Sequence, residues 1–316
     1  MFWQVVILIV SLVVLAVSAN YLVNASIKIA RKWGVSEMFI GLTIVAMGTS
    51  APELAVSAFA ALKGQGDLSV GNVIGSNIFN LGFILGIVAI ITPQIIPKKM
   101  VRRDGMVLLG AAALIFLFML DGKVVLWEGL VLLAALVSYL SLLFIKKDVE
   151  TEEDNGEKAK PKDYLIFLVS LFFLIKASDF TVSSATYIAK YFGVSAWAIG
   201  ATIVAAGTSL PELATSIIAT LKKKFGLSIG NVIGSDIFNT FGIIGISSVI
   251  APISLSTEGV ILGMSAPLFS VILLMATLVL LLIFMRTGWK LSRREGAAIL
   301  IIAILRMAFE IYIGKS

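Results

Sequence analysis

The chain contains no cysteine and no histidine. The first absence excludes disulfides and thiolate chemistry, and the second removes imidazole as a metal ligand or a proton carrier near neutral pH. A zinc enzyme or a haem protein would need residues that are missing here. Charge is scarce as well. Asp, Glu, Lys and Arg together make up 14% of the 316 residues against 59% hydrophobic, and the mean hydropathy is +1.03. A soluble domain keeps far more charge for its surface.

What is abundant is apolar sequence in runs of about 20 residues, long enough to span a hydrocarbon core as helix. An all-α polytopic membrane protein is expected, with ten transmembrane helices at roughly 2–29, 36–62, 68–91, 105–120, 124–146, 163–189, 195–221, 227–250, 260–285 and 289–313. The N-terminal run lacks a basic leader and continues to about residue 29, so it reads as a first membrane helix. The stretch 147–162 is hydrophilic, with Glu150, Glu152, Glu153, Asp154 and Glu157 among its lysines, and reads as a solvated linker. It separates a first five-helix repeat (1–146) from a second (163–316), and is too short to fold into a regulatory calcium domain.

The formal charge of +6 is distributed along the loops, which suits a topological role better than nucleic-acid binding. Alternate loops carry Lys28, Arg31 and Lys32; Lys98, Lys99, Arg102 and Arg103; Lys146, Lys147, Lys158, Lys160 and Lys162; Lys222, Lys223 and Lys224; and Arg286, Lys290, Arg293 and Arg294. These are 19 of the 25 bases. The opposite side has Lys63, Lys123, Lys190 and Lys315, while Lys176 and Arg306 fall inside segments. The positive-inside bias places the linker in the cytoplasm and both termini outside, in a multi-pass protein of the cell membrane. Five helices per half is odd, so the second repeat enters from the opposite side. Such inverted repeats are common in secondary transporters, with ion sites near the midplane.

Two polar stretches recur inside this apolar frame, 159 positions apart. Gly48-Thr49-Ser50-Ala51-Pro52-Glu53 precedes Gly71-Asn72-Val73-Ile74-Gly75-Ser76-Asn77-Ile78-Phe79-Asn80. Gly207-Thr208-Ser209-Leu210-Pro211-Glu212 precedes Gly230-Asn231-Val232-Ile233-Gly234-Ser235-Asp236-Ile237-Phe238-Asn239. Pro52 has no N–H and crowds the carbonyl at Gly48, so helix bonding should fail around Ala46 to Thr49, and around Ala205 to Thr208 near Pro211. Freed carbonyls in a bilayer are costly unless satisfied, and a bound cation satisfies them.

Glu53 and Glu212 lie mid-segment, where a charge costs about 2.5–3.5 kcal/mol on insertion scales. No Lys or Arg lies near them on their own helices, so a local salt bridge is not expected. Ser76 with Asn80, and Ser235 with Asn239, share a helix face at i, i+4. Gly71 with Gly75, and Gly230 with Gly234, read as small-residue pairs for close helix approach. With the hydroxyls of Thr49, Ser50, Thr208 and Ser209, the inventory is oxygen throughout once the amides turn their carbonyl ends inward. Two carboxylates balance one divalent ion, and six to eight oxygens suit calcium better than magnesium.

At these residues the chain resembles the cation/calcium exchanger superfamily, in particular prokaryotic sodium/calcium exchangers. The resemblance implies Glu53 and Glu212 as calcium ligands, joined by the carbonyls of Thr49 and Thr208. It implies sodium at the Ala46 carbonyl, Thr49 and Ser76 on one side, and at the Ala205 carbonyl, Thr208 and Ser235 on the other. Asn80 would line the centre opposite Asn239, with Ser50 and Ser209 alongside, and the first helix of each half would slide to give alternating access. Many relatives carry an acid where this chain has Asn239, which argues against potassium co-transport.

Asp236 lies about 60° round the helix from Asn239. It either lines the pocket edge or replaces its repeat partner Asn77 as a polar packing residue, and the helical offset favours the second. Lys176 with Asp179, and Arg306 with Glu310, read as mutually neutralising pairs. The expected activity is exchange of Ca2+ for Na+, or for H+ on the same two glutamates, by a monomer in the lipid bilayer without cofactors. A passive channel and a membrane hydrolase using the two acids are the competing classes.

Overall fold

The computed structural model describes residues 1–145, 156–193, 203, 205–255, 260–261 and 264–313. Among the described residues seven helices are long and apolar enough to cross a membrane: α1 (Phe2–Trp33), α4 (Gly66–Ile91), α5 (Lys98–Asp121), α6 (Leu126–Ile145), α7 (Pro161–Tyr191), α10 (Phe225–Ile250) and α11, which covers Ala266–Arg286. An eighth crossing is the bent pair α2 (Glu37–Thr49) and α3 (Ala51–Leu62), which meet at 47°. The short helices α8 (Ala205–Gly207) and α9 (Leu210–Leu221) and the helix α12 (Arg293–Ile313) complete the set among the described residues. The segment expected at 195–221 lies partly outside the described residues.

Burial sorts these helices into a centre and a rim. The most apolar stretches of α4 and α10 are 67% and 83% buried within the protein, against 28% for α1 and 33% for α7. α4 and α10 carry the Gly-Asn-Val-Ile-Gly-Ser motifs, so the polar repeats occupy the innermost layer. α1 and α7 pack along one another at the rim, pinned by a 2.9 Å bond from Thr181 Oγ1 to Ser11 Oγ.

Two expectations need revising. The segment at 105–120 is a longer helix beginning at Lys98, so Lys98, Lys99, Arg102 and Arg103 stand on its first turns instead of in a loop. There Arg103 bridges to buried Asp104 at 2.8 Å, and Lys98 and Arg102 lie over the Trp289 ring. Cationic stems that can cover an aromatic face keep their heads in water while the helix continues beneath them. The chain is also not purely helical. Two-residue ribbons join Gln94–Ile95 to Lys290–Leu291 and Lys123–Val124 to Ile253–Ser254. A third joins Val260–Ile261 to Met264–Ser265.

Most of the linker, 147–155, lies outside the described residues. Its end docks on α1. Lys28 Nζ donates to Glu157 Oε2 at 2.8 Å and Asp163 Oδ1 at 3.3 Å, and Ala159 N–H donates to the Lys28 carbonyl. Lys28 and Lys160 together hold the Glu157 carboxyl down to about 2, so this tie stays charged throughout the physiological range. Pro161 then starts α7, a position where its missing N–H costs nothing.

A candidate cation site at the paired helix breaks

Each acid sits where a helix restarts. α2 ends at Thr49 and α3 begins at Ala51, with Pro52 in its first turn and Glu53 next. Pro211 and Glu212 hold the same places in α9. Pro is tolerated there because the first N–H groups of a helix have no partner anyway, and a carboxylate there faces the positive end of the helix dipole. The break falls later than the proline alone suggests. Ser50 N–H still reaches the Ala46 carbonyl at 3.0 Å, so that oxygen keeps its helical bond and the chain turns at Ser50.

Glu53 and Glu212 are both fully buried. Each is held by the other repeat: Ser209 Oγ donates to Glu53 Oε1 at 3.1 Å, and Ser50 Oγ donates to Glu212 Oε1 at 2.9 Å. Since Ser50 and Ser209 sit at the breaks themselves, this exchange brings both breaks to one place. The second oxygen of each acid, Oε2, is buried without a hydrogen-bond partner, as are Asn80 Oδ1 and Asn239 Oδ1.

The remaining groups fall into two sets related by the repeat. One gathers Glu212, Ser50, Thr49, the Ala46 carbonyl and Ser235. Ser235 Oγ lies 3.5 Å from both Glu212 Oε1 and the Ala46 carbonyl, and Thr49 Oγ1 lies 3.3 Å from the same carbonyl. The other gathers Glu53, Ser209, Thr208 and Ser76, with Ser76 Oγ 3.5 Å from Thr208 Oγ1. This corrects the sodium grouping expected from the resemblance: Ser235, not Ser76, stands with Ala46 and Thr49, and Ser76 stands with Thr208. The cause is packing. A Cβ on Gly230 or Gly234 would come within 2.6 Å of the Met38 carbonyl or the Leu42 Cα, so α10 lies directly against α2 and delivers Ser235 to Ala46. The stretch that the repeat would set against Gly71 and Gly75, 197–201, lies outside the described residues, as does the side chain of Ala205.

Sequence reasoning gave no role to Asn72 or Asn231, nor to the serines behind them. Asn72 Nδ2 donates to Ser57 Oγ at 2.9 Å and the Glu53 carbonyl at 3.3 Å; Asn231 Nδ2 donates to Ser216 Oγ at 3.0 Å and the Glu212 carbonyl at 3.4 Å. Ser57 and Ser69 exchange hydroxyl-to-carbonyl bonds, as do Ser216 and Ser228. These bonds fasten each acid-bearing half-helix to α4 or α10. The signal was available, since each of these residues recurs at the same 159-residue shift.

Asp236 is fully buried and accepts from Asn80 Nδ2 at 2.8 Å. Lys176 and Asp179 form a half-exposed ion pair at 3.6 Å, as expected. The side chain of Glu310 lies outside the described residues. A cavity of about 520 Å3 opens beside Thr208, between the start of α3 (Ala51, Pro52) and α7 (Ile175, Asp179, Val182). Among the described residues no three Asp or Glu cluster together, so a cation bound here would complete its shell with hydroxyl, amide and backbone oxygens.

Along most of its length the chain is similar to known proteins. The sequence profile described as sodium/calcium exchanger protein matches residues 3–145 and 162–312. The putative antiporter CaxA of Alkalimonas amylolytica is 38% identical, covering 95% of this chain and 94% of its own. The sodium/calcium exchanger MaX1 of Methanosarcina acetivorans is 32% identical, covering 97% and 98%. A solved structure of the sodium-calcium exchanger NCX_Mj superposes with a TM-score of 0.83 at 30% identity, covering 96% of this chain and 98% of that one. These relatives are membrane transporters and not enzymes, and the chain belongs to the sodium/calcium exchanger family.

Proposed function

We propose that the chain exchanges Ca2+ for Na+ across the cell membrane, the two ions occupying one shared site in turn. The observation that carries this reading is the pair of fully buried carboxylates, each held through one oxygen by the opposite repeat and leaving the other oxygen unpartnered. Two such oxygens neutralise one divalent ion, and the amide oxygens of Asn80 and Asn239 with the hydroxyls of Thr49, Thr208, Ser50, Ser209, Ser76 and Ser235 supply neutral donors for a hard cation. Lined by hydroxyls and carbonyls, the site suits sodium as the counter-ion better than protons.

The accompanying architecture is ten transmembrane helices in two inverted five-helix repeats, with the linker cytoplasmic, both termini outside and the monomer as the working unit. It is supported by the alternation of basic loops and by polar contacts that recur at a constant shift. Alternating access would follow from movement of the α1–α7 pair across the central layer.

The test is ion flux in reconstituted vesicles with sodium, potassium and proton gradients imposed separately. Calcium uptake should follow an outward sodium gradient and vanish in Glu53→Gln and in Glu212→Gln. Undiminished uptake in either variant would remove the mechanism. Uptake driven by a proton gradient in sodium-free medium would replace sodium by protons, and flux persisting without a counter-ion would make the chain a channel.

A further inference from the structure

The carbonyl ends of Asn80 and Asn239 can face a cation only if their NH2 ends are held elsewhere, because an amide turned the other way offers donors that repel it. Three residues around these amides fix that orientation. Thr240 Oγ1 donates its single proton to the Asp236 carbonyl at 2.8 Å, so its oxygen can only accept. Asn77 Nδ2 donates to that oxygen at 2.8 Å, with a longer contact of 3.4 Å to the Asp236 carbonyl. The Asn77 NH2 is thereby committed, and Asn77 Oδ1 is left to accept from Asn239 Nδ2 at 3.0 Å. Asn239 Oδ1 then points away, buried and unpartnered. On the other branch, a carboxylate oxygen accepts only, so Asn80 must present Nδ2 to Asp236 Oδ1, as it does at 2.8 Å. Asn80 Oδ1 is likewise left buried and unpartnered. Every member is buried, with the four amide and acid side chains fully so, which leaves little solvent to satisfy a flipped amide.

We propose that Asp236 and Asn77 are positioning residues of the cation site: each grips the NH2 end of an amide from the opposite repeat and turns its carbonyl oxygen towards the ion, with Thr240 setting the direction of the Asn77 branch. The inference rests on the shared-site reading above and goes beyond it in assigning these three residues. It accounts for an acid at 236 where the first repeat has an amide at 77. Asp236 and Asn77 occupy equivalent places and do the same task, and both a carboxylate and a suitably held amide present the one acceptor the task needs. In metal sites, partners of this kind typically carry about 10–100-fold in affinity.

The experiment measures half-saturating Ca2+ and Na+, together with maximal flux, for the reconstituted full chain. Thermal melting of each variant reports folding. Asp236→Leu and Asn77→Leu remove the grip and should raise half-saturating Ca2+ about tenfold or more, while maximal flux falls less. Asp236→Asn keeps the shape and an acceptor, and should stay within about threefold of the parent, a small part of that range. Thr240→Val, nearly isosteric, should weaken Ca2+ binding less than Asn77→Leu, because it frees Asn77 to flip without removing it.

A folded Asp236→Leu with parental affinities would overturn the proposal. So would a folded Asp236→Asn as impaired as Asp236→Leu, since that would make the charge of Asp236 its contribution. If Asp236→Leu does not fold, the comparison of Asp236→Asn with Thr240→Val decides alone, and parental Ca2+ affinity in Thr240→Val counts against. Failure of the shared-site reading looks different: calcium uptake surviving in Glu53→Gln condemns that reading, and this inference with it.

Discussion

Set side by side, the two half-sites are alike in how their acids are held and unlike in what surrounds them. Ser50 meets Glu212 as Ser209 meets Glu53, and the Asn72–Ser57 clamp has its counterpart in Asn231–Ser216. Yet Thr49 is sealed and donates towards Asn231 at 3.2 Å, while Thr208 is only partly buried and borders the 520 Å3 cavity beside α7. Groups that must fit an ion are constrained to match, whereas a site reached from one side at a time requires its two flanks to differ. On the proposed shared-site reading, the match reports on binding and the mismatch on access.

The strongest test of the match lies in the crossed serines. A hydrogen bond to a charged group is worth roughly 1.5–3 kcal/mol, so Ser50→Ala and Ser209→Ala should each raise half-saturating Ca2+ by about 10–100-fold, and by similar amounts. The crossing itself can be isolated with double variants. Read by melting temperature, Ser50→Ala should be non-additive with Glu212→Gln, its partner, and close to additive with Glu53→Gln. Equal coupling to both acids would mean that the serines act through the bound ion, and the crossed pairs would lose their significance.

That crossing also marks the limit of what the sequence made legible. The acids, hydroxyls and amides announced themselves, because polar residues repeated at one shift inside apolar runs are too costly in a bilayer to be there without a task. Spacing along one helix, however, says nothing about which repeat a side chain will face. The grouping of Ser235 with Ala46 comes from α10 lying against α2, and that was invisible before the packing was known. The turns at the amides were equally hidden. Asn80 opens a π-helical turn (Asn80–Ile84) and Asn239 lies in another (Phe238–Ile243), a local widening that no residue pattern signals and that recurs at functional positions. Among the described residues, seven long apolar helices and the bent pair were readable from hydropathy, with a misplaced start where cationic side chains ride on a helix end, as at Lys98 to Arg103.

Next in size are the glycines that produce the unexpected grouping. Gly230→Ala and Gly234→Ala would each press a methyl onto α2 backbone, at Met38 and Leu42. Overpacking of this kind costs about 1–3 kcal/mol, so both variants should melt at lower temperature in detergent. Gly234→Ala should also weaken ion binding, because Ser235 follows directly and would be carried away from Ala46. Normal stability in both would show that the two helices separate easily, and that their close approach does not set the grouping.

The smallest effect belongs to the most visible difference between the repeats, the Lys176–Asp179 pair on α7, whose counterparts on α1 are Val17 and Asn20. Both side chains are about half exposed and 3.6 Å apart. An exposed pair of this kind contributes about 0–1 kcal/mol, so Asp179→Asn should leave melting temperature and maximal flux nearly unchanged. The pair does border the cavity beside Thr208, and an isolated positive charge at Lys176 would repel arriving cations. If that cavity is the route by which ions reach the site, Asp179→Asn should slow calcium uptake at low ionic strength by a few-fold, with the deficit fading as salt shortens the reach of the charge to about 10 Å at 0.1 M. A rate indifferent to both substitution and salt would place the route elsewhere and leave the difference at Thr208 without a part in access.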